Sequence, residues 1–219
     1  MKKRKQTRKE TPKVQPLEAR TDNQRDYIRA VAENDVVLCS GPAGSGKSFI
    51  AAGLSAQHLH HNSISQIVIT RPLVCAGRDI GSLPGEVNEK ISPYLAPMEK
   101  NFRYFFGRGF YGHYFNDGKI LYKPLELMRG DTFDDTYMIL DEAQNCTQEQ
   151  IKMFITRIGE NSKVLINGDV RQSDIGNKSG LQKSMDQLRE VEGVGVVGLT
   201  HSDIQRNGII GRVLAAMEE

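Results

Sequence analysis

Gly41-Pro42-Ala43-Gly44-Ser45-Gly46-Lys47-Ser48 fits the pattern G-x-x-x-x-G-K-[ST], and it stands between two segments of opposite habit. Val36-Val37-Leu38-Cys39, before it, is a short apolar strand. Phe49-Ile50-Ala51-Ala52-Gly53-Leu54-Ser55-Ala56, after it, is helix-prone and apolar on one side. A strand that turns through glycines into a helix aims successive backbone N–H groups at a polyphosphate, and the helix N-terminus adds partial positive charge there. In such a turn Lys47 reaches the β- and γ-phosphates and the Ser48 hydroxyl binds Mg²⁺. A flexible glycine loop that merely contains Lys-Ser would not need both flanking elements. The stretch predicts a nucleotide-phosphate site.

The rest of the chain supplies the sheet such a site needs. Thr21-Asp22 read as a helix cap, followed by a helix with Tyr27, Ile28 and Val31 on one face. Gln66–Thr70 is a β-branched run, as in a strand buried on both sides. From Leu73 to about Asp135 the pattern loosens, with Gly77, Gly81, Pro84 and Gly85 in a loop. A broken helix is expected from Glu86 to Phe106, and at most a short edge strand at Lys119–Tyr122. Regularity returns with a strand at Tyr137–Leu140 and a helix from about Thr147, where Thr147 and Gln150 form a capping box. A strand at Lys163–Ile166, a helix near Leu181–Val191, a strand at Val194–Leu199 and a last helix at about Asn207–Met217 follow. Strands alternating with helices at this spacing imply an α/β fold, a parallel sheet flanked by helices on both faces.

At 219 residues the chain is long enough for one well-buried domain. No run approaches the ~20 apolar residues of a membrane span, and the charged N-terminus has no apolar stretch behind it. Cys39, Cys75 and Cys146 lie far apart with no Cys-x-x-Cys pair, which points to a reducing, cytoplasmic setting. The net charge of +2 hides an asymmetry: residues 1–13 carry seven basic side chains and one acidic, so the remainder is mildly acidic. Residues 1–20 are therefore expected as a basic, disordered tail and 21–219 as one domain with an irregular insertion at about 73–135. Such a tail touches nucleic acid or nothing in particular. His58, His60 and His61 cluster without a nearby carboxylate or cysteine and read as polar ends at a helix C-terminus.

In a parallel sheet the working residues belong just past the carboxyl ends of the strands. The third strand delivers Asp141-Glu142-Ala143-Gln144. Asp141 is placed near the metal ion held by Ser48, and Glu142 where it can orient and deprotonate a water attacking the γ-phosphate. A lone Asp-Glu pair would serve equally as a solvated helix start; about 95 residues after a phosphate loop it reads as a metal ligand and a base. The fourth strand delivers Asn167-Gly168-Asp169-Val170-Arg171-Gln172, either a plain turn or a sensor of the γ-phosphate.

Thr70-Arg71-Pro72, Ala76-Gly77, Leu83-Pro84-Gly85, Glu89-Lys90, Pro93-Tyr94-Leu95, Pro124 to Gly130, Ile139 to Asn145 and Gly168-Asp169 follow the phosphate loop in that order. The set resembles the PhoH-like ATPase family, the phosphate-starvation-inducible relatives of superfamily 1 helicases, over about residues 21–217. The resemblance implies a RecA-like P-loop NTPase fold and Mg²⁺-dependent ATP hydrolysis. Gly41, Pro42, Ala43, Gly44, Ser45, Gly46, Lys47, Ser48 and Phe49 would touch the nucleotide, and Ser48 and Asp141 the metal. Gln24 matches the glutamine that reads adenine, and Gln172 the γ-phosphate-sensing glutamine. Arg206 matches either an arginine finger or a solvated cap residue. Lys47, Glu142, Gln172 and Arg206 are the expected catalytic set. Ser45 and Ser48 stand where threonine is commoner, and Cys75 where the family usually carries Glu.

One RecA-like lobe fits in this length, so an arginine finger would come from a neighbouring copy in a closed ring, expected as a hexamer. The aromatic-rich stretch Asn101–Phe115 suggests single-stranded RNA as a partner. Phe102, Phe105 and Phe106, at helical spacing, read as core, and Phe110–Phe115, with Tyr111 and Tyr114, as the RNA contact. A nucleotide-switched ring-forming assembly protein without helicase activity is the alternative. A small-molecule kinase fits less well, since Asp-Glu-Ala-Gln suits water activation.

Overall fold

The computed structural model describes residues 13–72 and 87–205, with backbone alone over 87–95. Among these residues five helices and six strands alternate: α1 (Asp22–Glu33), β1 (Val36–Ser40), α2 (Lys47–His60), β2 (Gln66–Thr70), α3 (Val87–Asn116), β3 (Ile120–Tyr122), β4 (Thr136–Leu140), α4 (Gln148–Ile155), β5 (Lys163–Gly168), α5 (Leu181–Leu188) and β6 (Val194–Gly198). Every strand pair is parallel, in the order β3-β2-β4-β5-β1-β6. No helix among the described residues is long and apolar enough to cross a membrane.

Strand alternation divides the core in two. Val37, Cys39, Ile67, Ile69, Tyr137, Ile139 and Leu165 face α1, α2 and α3. Val36, Leu38, Val68, Met138, Leu140, Val164 and Ile166 face α4 and α5. A sheet covered on both faces explains why its strands are continuous apolar runs rather than alternating ones. Thr21 caps α1 by accepting from the Gln24 N–H, and Thr147 with Gln150 closes the expected capping box on α4.

The loosely patterned middle follows its sequence. The helix expected to Phe106 is interrupted at Gly107 (φ 72°, ψ 158°), a non-helical residue that separates it from a second helical stretch ending at Asn116; glycine adopts this backbone without a Cβ penalty. β3, three residues long, pairs with β2 as the short edge strand expected. Residues 13–20, expected as the end of an unstructured tail, have no regular structure but are held. The Gln15 N–H donates to the Phe105 carbonyl at 2.9 Å, and Val14 and Leu17 pack on the core. The basic residues 1–12, Cys75 and the surrounding residues, the stretch expected as a last helix and Arg206 lie outside the described residues.

Candidate active site

The phosphate loop leaves β1 and enters α2 through two left-handed glycines, Gly44 (φ 86°) and Gly46 (φ 99°). The Ser45 hydroxyl and N–H both donate to the Pro42 carbonyl, at 2.8 and 3.2 Å, which folds the loop into a cup. The N–H groups of Gly46, Lys47 and Ser48 have no acceptor among the described residues, since the first helical bond runs from the Ile50 N–H to Gly46. Free donors at the start of a 14-residue helix suit an anion. The Lys47 ammonium curls over the same cup, donating to the Gly41 and Pro42 carbonyls at 2.5 and 3.0 Å.

β5 lies between β1 and β4, so the loop strand and the carboxylate strand are two strand spacings apart, about 9.6 Å. α2 closes that gap: the Ser48 hydroxyl donates to Asp141 Oδ1 at 2.7 Å. Asp141 is buried. Burial pushes its carboxyl up, the Glu142 charge adds to this, and the Ser48 hydroxyl, Arg71 and Lys47 oppose it. A hydroxyl beside a desolvated carboxylate is a pair of hard oxygen donors that fits Mg²⁺, an ion that keeps most of its waters and takes few protein ligands.

Glu142 sits in the left-handed region (φ 58°, ψ 40°), which a non-glycine residue adopts only when its surroundings impose it. Two partners do so. Arg71, following β2, reaches Glu142 Oε1 at 3.2 Å. The Gln144 side-chain amide donates to Glu142 Oε2 at 2.6 Å, while its carbonyl accepts from the Asp169 N–H at 3.0 Å. Gln144 thus ties the end of β4 to the end of β5. Gly168 leaves room for this arrangement: a Cβ would stand 2.9 Å from Gln144 Oε1 and 2.4 Å from Leu181 Cδ2, so both side chains would have to shift. Below them Tyr27 donates to Asn167 Oδ1 at 2.7 Å.

Gln24 is buried against the cup. Its Nε2 donates to the Ser45 carbonyl and its Oε1 accepts from the Arg20 N–H, both at 2.9 Å. An amide has two donors and two lone pairs, so one of each remains. The cavity beside it, about 530 Å³, is lined by Gln24, Lys47, Phe49, Pro97, Asn101 and Gln205. Gln205 is anchored to the loop through its N–H, which donates to the Gly44 carbonyl at 3.1 Å. Asp203, just before it, accepts from Asn23 and from the Thr200 N–H.

Gln24, the loop residues, Asp141 and Glu142 are thus gathered at one end of the sheet. Gln172 is not brought into contact with them: it lies in the turn its N–H makes to the Asp169 carbonyl, and its side chain is exposed. Arg71, Gln144 and Gln205 have site contacts that the sequence reading did not assign. The adjacency of Arg71 to a strand end and of Gln144 to the carboxylates was the available signal; nothing local marked Gln205. The stretch Phe110–Phe115, expected to contact RNA, is only partly open, with Phe115 46% exposed. Tyr111 is buried beneath the Arg103 guanidinium, and Tyr114 packs on Phe106 at 4.8 Å. Phe102, Phe105 and Phe106 are core, as their spacing indicated.

The family model described as "PhoH-like protein" matches residues 16–218. PhoH-like proteins of Synechocystis sp. and Bacillus subtilis are 41% identical over 204 residues and 39% over 209, covering 92% and 94% of this chain but 62% and 66% of theirs. Protein PhoH of Escherichia coli is 38% identical over 205 residues, 92% of this chain and 58% of its own. The chain thus spans about three fifths of the length of these relatives. Among solved structures, the large terminase of a thermophilic bacteriophage superposes with a TM-score of 0.51 at 14% identity, over 90% of this chain and half of that one. Its complex with ADP gives 0.50 at 13% identity, over 90% and 49%. These likenesses establish the α/β P-loop NTPase fold.

Proposed function

The chain belongs to the PhoH-like protein family, and from that premise we propose that it is a Mg²⁺-dependent ATP hydrolase whose turnover is coupled to single-stranded RNA. The observation that carries the reading is the Ser48–Asp141 bond across the interposed strand, beside a cup of unpaired N–H groups. The bond sets a hydroxyl and a carboxylate side by side as the pair of oxygen ligands that a magnesium-bound triphosphate takes from the protein.

The loop N–H groups and the Lys47 ammonium hold the triphosphate, and Ser48 and Asp141 hold the metal. A Mg²⁺ ion bound there would neutralise charge on the phosphate oxygens. Glu142, fixed by Arg71 and Gln144, accepts the proton of the attacking water. The donor and lone pair left on Gln24 match the N7 and N6 edge of adenine, which favours ATP over GTP. Gln172 would need to move inward to sense the γ-phosphate. In this reading Arg206 serves a neighbouring copy in a ring, a hexamer with a nucleotide at each subunit boundary. Sedimentation with and without nucleotide tests the ring; a protein that stays monomeric in both conditions and still hydrolyses ATP refutes it.

Phosphate release with and without added RNA, in wild type and Glu142→Gln, tests the hydrolase. The substitution keeps the shape and removes the base, so turnover falls about 10²- to 10⁴-fold with ATP binding retained. Equal turnover in the two proteins would refute the assignment.

A further inference from the structure

We propose that the outward side of α3 around Tyr104 binds single-stranded nucleic acid, and that Phe49 couples this surface to the nucleotide cavity; the coupling, though not the surface, rests on the hydrolase reading above. Tyr104 is 56% exposed, the most open of the Phe and Tyr rings among the described residues. Lys100, Arg103 and Arg108 surround it in a groove of about 350 Å³. The groove has one carboxylate, Glu99, and Arg103 takes it at 2.5 Å while covering the buried Tyr111 ring. Lys100 and Arg108 are exposed and have no acidic partner among the described residues. Positions 100, 104 and 108 recur every four residues, so up to the kink at Gly107 they follow one side of the helix.

An exposed ring flanked by unpaired cations matches a strand that offers flat base faces and phosphates together. An acidic peptide would satisfy Lys100 and Arg108 and leave the ring without a stacking partner. A duplex would present phosphates but keep its base faces stacked inside. The single strand uses every element of the patch.

The patch is joined to the nucleotide site through packed rings. The Tyr104 centroid lies 5.3 Å from that of Phe49, and Phe105 lies 4.7 Å from Phe49 on the core side. Phe49 directly follows Ser48, the residue bonded to Asp141. Lys100 lines both the groove and the nucleotide cavity. A change at the first turn of α2 on nucleotide binding or hydrolysis therefore moves the ring on which a base stacks.

The test is fluorescence anisotropy of a fluorescein-labelled oligouridylate titrated with the full chain, alongside phosphate release. Tyr104→Ala weakens binding about 5- to 150-fold, the range of one base–aromatic stack, and Tyr104→Phe restores it. Arg108→Ala lowers the slope of log Kobs against log salt by about 0.7 and leaves turnover without oligonucleotide unchanged. Phe49→Leu removes the difference between Kd measured with ADP and with a non-hydrolysable ATP analogue. Unchanged affinity and salt slope in the Tyr104→Ala and Arg108→Ala variants overturn the proposal. So does loss of self-association in sedimentation velocity with oligonucleotide affinity intact, which would make the patch a subunit contact. A wild type that hydrolyses ATP without binding the oligonucleotide refutes the surface alone. Tyr104-dependent binding without any turnover supports the surface and refutes the hydrolase.

Discussion

Gln144→Met keeps the length and volume of the side chain and deletes both of its polar ends. In the native protein the buried amide donates to the Glu142 carboxylate at 2.6 Å and accepts from the Asp169 N–H at 3.0 Å. The first bond is charge-assisted and contributes about 1.5–3 kcal/mol; loss of the second strands a buried donor, at about 1–3 kcal/mol. Arg71 still holds the other carboxylate oxygen at 3.2 Å, so Glu142 is loosened rather than released. We therefore expect turnover to fall about 10- to 100-fold, equivalent to roughly 1.4–2.7 kcal/mol of lost positioning. KM for ATP should stay level, because no contact of Gln144 reaches the phosphate loop. Stability by urea denaturation should drop by about 2.5–6 kcal/mol, since both losses act on the folded state. The decisive measurement repeats Gln144→Met in the Glu142→Gln background. If Gln144 acts through Glu142, kcat there falls no further; an equal fold-loss in both backgrounds refutes the positioning role.

Tyr27→Phe removes the side-chain partner of a fully buried amide whose Nδ2, on Asn167, already has none among the described residues; we expect about 1–3 kcal/mol of destabilisation in chemical denaturation. Gly180→Ala would put a Cβ 2.1 Å from the Gln148 nitrogen, so α4 and α5 must part. The expected loss is about 1–3 kcal/mol or more, read as a lower Tm. His58 lies against the Tyr137 ring at 5.0 Å, and burial, then the charges of Lys163 and His61, hold its pKa below 6.5. The unfolded chain therefore takes up this proton first. Stability is complete above pH 6.5 and declines as pH falls through that value. His58→Gln should flatten the acid limb of a urea-midpoint profile, and an unchanged limb would show that His58 does not contribute.

The strands and the phosphate loop were legible because their signals are local. β-branched runs between turn residues mark β2, and the loop's glycines can be read one by one. Asp141 and Glu142 were legible by position, two residues just past a strand. The middle was harder. Pro93, Pro97 and Gly107 each argue against one long helix; Gly107 does break it, while the prolines are carried within the first part, where Phe102, Phe105 and Phe106 bury against α2 and the sheet and packing outweighs propensity. The inward packing of Tyr111 and Tyr114 was illegible for the complementary reason, that composition does not say which side of a helix a ring occupies. Gln144 and Gln205 act on partners 25 and 161 positions away in sequence, Asp169 and Gly44, and only the folded sheet brings these together.

The left-handed backbone at Glu142 pits heat resistance against chemistry at one position. Holding a long side chain there costs of order 1–3 kcal/mol, a strain that glycine would relieve. In a Gln144→Met background, where the charge-assisted bond that offsets this strain is already gone, a library sorted only for survival on heating should drift toward glycine or asparagine at 142, and its winners should be hardier and inert. Selection for turnover must keep reinstating the strained residue.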